Sequence, residues 1–289
     1  MCVTTFDVSR TEIVNEDGRV SAAVQCRLLY LGVTVVGFAN GISEKAATEI
    51  QNNGIVAALF NTLGVSIVIW AAAAIAVLLL LRADHRAAGR MDFAVAVIAC
   101  VTFLVPAPFM SWLGIALAGI YLYVTSAKSP SLRRAGTVLL ALTVPMLWAR
   151  ILFAAAGTRI LEIDAKLVSW IVGTQASGNT IPLADGSGVI FLEPACSSLT
   201  NVSLAMLCGV LFVSAQGLKW SKRAILATVL ACAATVFINV FRIALIGVMP
   251  QYYSTIHGPT GAAIAGWVTI LTIVFIFTKG IRRDAKAVA

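Results

Sequence analysis

Long apolar segments constrain this chain more than any other feature. A helix of roughly 20 apolar residues is long enough to cross the hydrocarbon core of a bilayer. Seven segments meet this length well, and the first meets it marginally because it contains Arg27 and three glycines. The eight segments cover residues 24–43, 55–81, 92–108, 110–126, 135–156, 196–217, 224–249 and 263–279. This pattern predicts an all-α polytopic membrane protein with about eight transmembrane helices.

Composition indicates the same class. Of the 289 residues, 60% are hydrophobic and only 12% are charged, which is too apolar for a soluble domain. Basic residues outnumber acidic ones by 21 to 13. Membrane topology alone produces such an excess, so nucleic-acid binding is not expected. Residues 1–23 are polar and mixed in charge, which predicts a short cytoplasmic tail and no cleavable signal peptide.

The distribution of Lys and Arg predicts an orientation. With eight alternating spans, 16 of the 21 basic residues fall on one side, three fall on the other, and Arg150 and Arg242 lie within spans. The larger group is Arg10, Arg19, Arg27, Arg82, Arg86, Arg90, Lys128, Arg133, Arg134, Lys219, Lys222, Arg223, Lys279, Arg282, Arg283 and Lys286. Because basic loops stay on the cytoplasmic side, both termini are predicted to face the cytoplasm, and the protein is predicted to reside in the cytoplasmic (inner) membrane. Residues 157–195 and the loop around His257 then face outward.

The outward segment 157–195 has its own predicted structure. Residues 158–172 show an apolar face typical of a helix lying on the membrane surface. That face comprises Ile160, Ile163, Leu167, Val168 and Ile171. Asp164 falls on the apolar side, where we expect it to pair with Arg150 or Arg159. Residues 180–183 and 189–192 flank a glycine-rich turn, which predicts a β-hairpin ending just before Cys196.

Three residues are candidates for chemistry at the outer side. Cys196 begins the sixth span, and a helix starting there would place the thiol where the positive end of the dipole favours a thiolate. Arg242 lies roughly 27 Å along the seventh span, near the outer boundary of the core. His257 follows in the next outer loop. Asn239 shares a helix face with Arg242, which indicates a polar pocket, although an arginine at this depth can also extend to lipid headgroups.

These three side chains together suit acyl transfer. A thiolate attacks a carbonyl, an imidazole protonates the leaving amine, and a guanidinium stabilises the oxyanion or orients the substrate. By contrast, Cys100, Cys208 and Cys232 are interpreted as apolar filler and His85 as a surface residue. The six cysteines show no zinc-like spacing, so neither a metal nor a cofactor is expected.

The motifs Ala195-Cys196-Ser197, Asn239-Val-Phe-Arg242 and His257 resemble those of the exosortase/archaeosortase family of membrane cysteine transpeptidases. The resemblance covers roughly residues 135–280. It divides the chain into a tail with four spans, residues 1–134, and an exosortase-like catalytic core, residues 135–289. Ser198 stands where the family usually has glycine, which marks an altered pocket or a divergent subfamily.

The resemblance implies roles for particular residues. Cys196 would be the nucleophile, His257 the general acid and base, and Arg242 the oxyanion or positioning residue. Supporting or substrate-binding roles would fall to Asn239, Ser197, Ser198, Glu193 and Arg150. The enzyme would cleave a carboxy-terminal sorting signal, made of a short motif, a transmembrane helix and a basic tail, from exported proteins. It would form a thioester on Cys196 and pass the acyl end to an acceptor at the cell surface or linked to a polysaccharide.

Two alternatives remain open from the sequence. The first is an intramembrane cysteine protease that releases its product by hydrolysis, since acceptor choice depends on how water is excluded from the acyl-enzyme. The second is a non-enzymatic transporter with a polar path at Arg150, Asn239 and Arg242. The chain has no convincing internal symmetry of the kind common in transporters.

Overall fold

The computed structural model describes residues 12–14, 20–22 and 24–285, and it is 80% helical. The chain divides into two compact units between Leu140 and Ala141. Most of the predicted cytoplasmic tail lies outside the described residues, as do Arg10, Arg19 and Lys286. Within the tail, β1 (Glu12–Val14) pairs antiparallel with β2 (Val20–Ala22). A separate catalytic core from residue 135 onward stays a prediction.

The first unit contains the helices that precede residue 141. These are α1 (Cys26–Phe60), α2 (Ile67–Leu81), α3 (Arg90–Leu104), α4 (Pro108–Thr125) and most of α5 (Pro130–Thr143). The first two predicted spans, 24–43 and 55–81, left a loop between residues 43 and 55. That loop is wrong, because α1 continues until Gly54, whose φ of 78° breaks the helix. Residues 44–50 are rich in good helix formers such as Glu, Lys and Ala, which allows this continuation. The predicted span 55–81 is accordingly replaced by the shorter α2.

Aromatic residues fill the core of the first unit. Trp112 is 1% exposed, and its indole donates to the carbonyl of Gly41 at 3.2 Å. The Phe38 ring meets the edges of Trp70 and Trp112 at centroid distances of 5.1 and 6.0 Å. Asn40 donates to the carbonyl of Phe103 at 2.9 Å. These contacts pack α1, α2 and α4 around one apolar centre.

A polar cluster closes the other end of this unit. The buried carboxylate of Asp92 accepts hydrogen bonds from both terminal nitrogens of Arg86, at 3.1 and 2.8 Å, and from the Gly89 N–H at 2.7 Å. Arg86 also donates to the Cys26 sulfur at 3.0 Å. Arg27 donates to the carbonyl of Leu81 at 2.9 Å. Arg27 is therefore accommodated at the first turn of α1 by the chain that follows α2.

The second unit begins in a continuous helical segment. After α5, a π-helical turn over Val144–Trp148 leads into α6 (Ala149–Val172). Pro145 has no N–H for a regular helical bond, which explains the irregular turn. The separate surface helix predicted over residues 158–172 is thus wrong, because these residues are the second half of α6. Of the predicted apolar face, Val168 is fully buried in the protein, whereas Ile163 is 58% exposed.

The remaining elements of this unit follow in order. They are β3 (Thr180–Pro182), β4 (Val189–Phe191), α7 (Ser198–Ala215), α8 (Lys222–Val248), α9 (Tyr253–His257) and α10 (Pro259–Ala285). The predicted β-hairpin is confirmed, with Ile181 opposite Ile190 in an antiparallel pair. At its tip the backbone N–H and hydroxyl of Ser187 donate to Asp185, which lowers the pKa of that carboxyl.

Among the described residues, five helical segments are long and apolar enough to cross a membrane. They are Cys26–Phe60, Pro130–Val172, Ser198–Ala215, Lys222–Val248 and Thr260–Gly280. The apolar helices Ile67–Leu81 and Phe109–Thr125 are shorter. An all-α, membrane-embedded protein is therefore supported. The number of eight spans, and the side of the membrane on which each loop lies, remain predictions.

One apolar cluster positions the hairpin against α6 and α8. It consists of Leu161, Ala165, Val168, Val172, Ile181, Leu192, Val240, Ile243 and Ala244. Gly247 permits the close approach, since a Cβ there would lie 2.7 Å from Cγ2 of Val172. The Gly247 carbonyl also accepts the N–H of Ala184 from the hairpin turn at 2.9 Å. Cys196 packs against this cluster, so the hairpin leads directly to the candidate nucleophile.

Candidate functional site

Cys196 lies in a tight turn just before α7. It ends a 3-10 turn over Pro194–Cys196, and its N–H donates to the carbonyl of Glu193 at 2.9 Å. Ser197 is extended, with φ −66° and ψ 140°, and its hydroxyl caps α7 by accepting the N–H of Leu199 at 3.2 Å. The α-helix therefore begins at Ser198, and the prediction that it begins at Cys196 is wrong by two residues. A serine N-cap explains the later start.

Side chains bind two of the first N–H groups of α7. Besides the Ser197 cap, the carboxylate of Asp164 accepts the Ser198 N–H through Oδ2 at 2.9 Å. The prediction that Asp164 pairs with Arg150 or Arg159 is wrong, since Arg159 pairs with Glu162 at 3.3 Å. Neither of these two bound N–H groups is free for a thiolate at Cys196. The N-terminus of α7 therefore offers a thiolate at Cys196 fewer free N–H groups than the sequence predicted.

Asn239 connects α8 to the turn that carries Cys196. Its side-chain nitrogen donates to the carbonyl oxygen of Cys196 at 2.8 Å and to Oγ of Ser198 at 3.2 Å. Asn239 is 8% exposed and Ser198 is 4% exposed, so both contacts are shielded from solvent. The Ser198 hydroxyl, which a glycine would lack, thus has a defined partner in this chain.

Arg242 lies one turn after Asn239 on the same face of α8. It is half-buried, and its Nε donates to the carbonyl of Ile256 at 3.1 Å while its Nη2 donates to the carbonyl of His257 at 3.3 Å. Gly261 permits this arrangement, because a Cβ there would collide with the same Ile256 oxygen. The guanidinium therefore holds the α9 segment. Arg242 thus has a structural contact beyond that of an arginine that only extends to lipid headgroups.

His257 is the last residue of α9 and is exposed. Its ring stacks on Tyr253, with centroids 5.1 Å apart and planes inclined by 20°. Among the described residues, neither imidazole nitrogen has a hydrogen-bond partner. The imidazole is consequently able to exchange a proton with a substrate group.

The predicted site residues thus divide by position. One face of α8 holds the Cys196 turn through Asn239 and the His257 segment through Arg242. Ser197 and Ser198 are buried in the turn itself, whereas the Glu193 side chain is exposed and only its carbonyl contacts Cys196. Arg150 is exposed on α6 and precedes Asp164 by about 21 Å of helix, so the structure does not bring it to the turn.

Asp164 is the residue of this site that the sequence did not assign to it. The sequence feature that could have identified Asp164 is its position as an acid on the apolar side of residues 158–172. Burial at 4% exposure and the bond to Ser198 distinguish it from Glu162, on the same helix, whose side chain is 25% exposed. The partner of Asp164 lies 34 residues away, which no local pattern could identify.

A cleft of about 510 Å³ adjoins the same cluster. Its walls include Phe153, Leu161 and Asn179, together with the small residues Ala154 to Gly157. Leu161 also belongs to the apolar cluster, and Phe153, like Cys196, packs against that cluster. Asn179 donates to the carbonyl of Leu192 at 2.9 Å, four residues before Cys196. The cleft is large enough to receive a few side chains of a peptide.

Comparisons with protein-family models, with curated proteins and with solved structures find no match to this chain. Within the described residues, no group of three or more His, Cys, Asp or Glu side chains is placed to hold a metal ion.

Proposed function

We propose that this protein is a membrane-embedded cysteine transpeptidase or protease that processes the carboxy-terminal sorting signal of exported proteins. The observation that carries the proposal is the double attachment made by α8. Asn239 binds the carbonyl of Cys196 at 2.8 Å, and Arg242, one turn later, binds the carbonyls of Ile256 and His257. A single helix face thereby contacts both the turn that carries Cys196 and the segment that carries His257, which supports a role for the thiol as nucleophile and the imidazole as its general acid and base.

The first half of the reaction forms an acyl-enzyme. The thiol proton of Cys196 passes to His257, and the thiolate attacks the carbonyl carbon of the scissile peptide bond. When the tetrahedral intermediate collapses, the C–N bond breaks and the leaving amine takes the proton from the His257 imidazolium. The substrate's new acyl end is then a thioester on Cys196.

The second half transfers the acyl group. An acceptor hydroxyl or amine, at the cell surface or linked to a polysaccharide, loses its proton to His257 and attacks the thioester carbon. The C–S bond breaks and the thiolate is regenerated. If water is the acceptor, the same steps give a free carboxylate, which is the protease alternative.

The contacts of Arg242 favour a positioning role over an oxyanion role. Nε and Nη2 are both occupied by backbone carbonyls of the α9 segment. An oxyanion donor must instead point at the position where negative charge develops. Arg242 therefore serves the reaction by fixing the backbone that carries His257.

The apolar helices and the distribution of basic residues support a membrane location for this activity. The protein would reside in the cytoplasmic (inner) membrane, with Cys196 facing outward. The transporter alternative would need Arg150, Asn239 and Arg242 along one polar path. Asn239 and Arg242 are instead bound to backbone carbonyls, and Arg150 lies far along α6, which favours the enzyme.

The decisive experiment co-expresses this chain with an exported reporter. The reporter carries a candidate carboxy-terminal tail with a short motif, a transmembrane helix and a basic end. We expect Cys196→Ala and Cys196→Ser to abolish processing, while Cys232→Ser on α8 serves as the matched control and retains it. Mass spectrometry of the processed terminus separates transfer, which adds mass, from hydrolysis, which leaves a carboxylate. Normal processing by Cys196→Ala would refute the proposal.

A further inference from the structure

Asp164 is a buried acid to which the mechanism above gives no role. It lies on the face of α6 that packs against α8 and the hairpin, between Leu161 and Val168, and it is 4% exposed. Burying a carboxylate among apolar side chains is unfavourable unless donors reach it. An ionisable residue within a candidate membrane span is a functional candidate for the same reason. Its partner is the N–H of Ser198 at 2.9 Å, two residues after Cys196.

The turn that carries Cys196 is held from two helices. From α6, Asp164 binds the Ser198 N–H. From α8, Asn239 binds the Cys196 carbonyl and the Ser198 hydroxyl. Because both neighbours of Ser197 are fixed by long-range hydrogen bonds, the backbone at Cys196 has little freedom to rotate. The backbone position from which the thiol extends is therefore set before a substrate arrives.

The carboxylate of Asp164 also suits the place where it binds. A helix N-terminus carries partial positive charge, and Asp164 accepts one of the first N–H groups of α7.

We propose that Asp164 is a positioning residue for Cys196. It fixes the turn through the Ser198 N–H, and together with Asn239 it holds the backbone on both sides of Ser197. This inference rests on the proposed function, because positioning is meaningful only if Cys196 is the nucleophile.

The first test measures the contribution of the hydrogen bond between the Ser198 N–H and Asp164 apart from the other contacts of the turn. Ser198→Pro removes the N–H at the first helical position, where proline is tolerated and where Ser197 is already extended. We expect Asp164→Ala and Ser198→Pro each to lower kcat by about tenfold or more, with a smaller change in KM. The double variant should be no slower than Ser198→Pro alone, because both substitutions remove the same hydrogen bond. Ser198→Ala keeps the N–H and should lose less than Ser198→Pro.

The second test reads the position of the thiol without using activity. Membranes containing the full chain are treated with iodoacetamide at one pH, and the labelling rate of the Cys196 peptide is measured by mass spectrometry. Asp164→Ala and Ser198→Pro should each change this rate, because the turn is no longer held from α6. Asp164→Asn keeps an acceptor oxygen for the Ser198 N–H and should stay closer to the wild-type rate than Asp164→Ala. Glu162→Gln, on the same helix, is the control and should change neither the labelling rate nor kcat.

Clear outcomes would overturn the inference. These are wild-type turnover by both Asp164→Ala and Ser198→Pro, or an unchanged labelling rate in both. If Asp164→Ala does not fold, the turnover and labelling of Ser198→Pro decide. An inactive Cys196→Ala with unaffected Asp164 variants would refute this inference alone, whereas an active Cys196→Ala would refute the proposed function.

Discussion

The side-chain amide of Asn239 donates a hydrogen bond of 2.8 Å to the carbonyl oxygen of Cys196, 43 residues earlier in the chain. The same nitrogen reaches the Ser198 hydroxyl, so Asn239 contacts both sides of the capping residue of α7. Arg242 continues this face of α8 to the α9 segment. The geometry of the candidate site therefore depends on one helix more than on the loops that carry its reactive groups.

Replacing Asn239 by alanine should impair turnover more than stability. The substitution leaves the Cys196 carbonyl without its donor, and a lost buried hydrogen bond of this kind contributes about 1 to 3 kcal/mol. We expect a decrease in kcat of about tenfold or more, measured on the processed reporter. Asn53→Ala, which removes an exposed amide bonded to Glu49, is the control and should retain activity. Full turnover by Asn239→Ala would show that the Cys196 carbonyl needs no anchor.

Replacing Arg242 by lysine should loosen the α9 segment. One ammonium cannot reproduce the two directed donors that a guanidinium presents to the carbonyls of Ile256 and His257. Hydrogen exchange across residues 253–258 should become faster, and processing should fall. Arg159→Lys, at an exposed position on α6, should change neither. Unchanged exchange in the Arg242 variant would contradict the positioning role.

Gly247→Val should destabilise the second unit. The new side chain would begin 2.7 Å from Cγ2 of Val172, and both residues are stiff at χ1. Overpacking of this kind costs about 1 to 3 kcal/mol, which should appear as a lower unfolding temperature in detergent. Gly266→Ala on α10 meets no atom within 4 Å and should be neutral or slightly stabilising. An undiminished unfolding temperature for Gly247→Val would show that α6 and α8 can separate freely.

Asp92→Ala should destabilise the first unit without changing the chemistry at Cys196. The substitution removes the acceptor of both Arg86 bonds and of the Gly89 N–H, at a cost of about 2 kcal/mol or more. Thermal unfolding in detergent measures the loss, and iodoacetamide labelling of Cys196 in the folded protein should be unaffected. Asp185→Ala, at a fully exposed hairpin tip, is the control. Equal stability of the two variants would contradict a role for the Asp92 cluster in holding the first unit.

The sequence predicted those features that depend on neighbouring residues. Apolar segments predicted a helical membrane protein, and alternation around a glycine-rich turn predicted the hairpin before Cys196. The helical spacing of Asn239 and Arg242 predicted that they share a face, and both bond from α8 to backbone carbonyls. Hydropathy did not locate the end of α1 or the continuity of α5 and α6, because helix-forming polar residues and a π-helical turn let helices continue through apparent loops.

What the sequence by itself determined is the class of the protein, the hairpin, and the order in which Cys196, Arg242 and His257 follow one another. Those properties come from residue hydrophobicity and from periods of two and 3.6 residues, which act over short distances along the chain. Only the tertiary structure decided that Asp164 binds the Ser198 N–H, that α7 begins after Cys196, and that Arg150 stays apart. Such contacts join residues that are distant in sequence, and they form because packing of α6, α8 and the hairpin brings buried polar groups within hydrogen-bonding distance of one another.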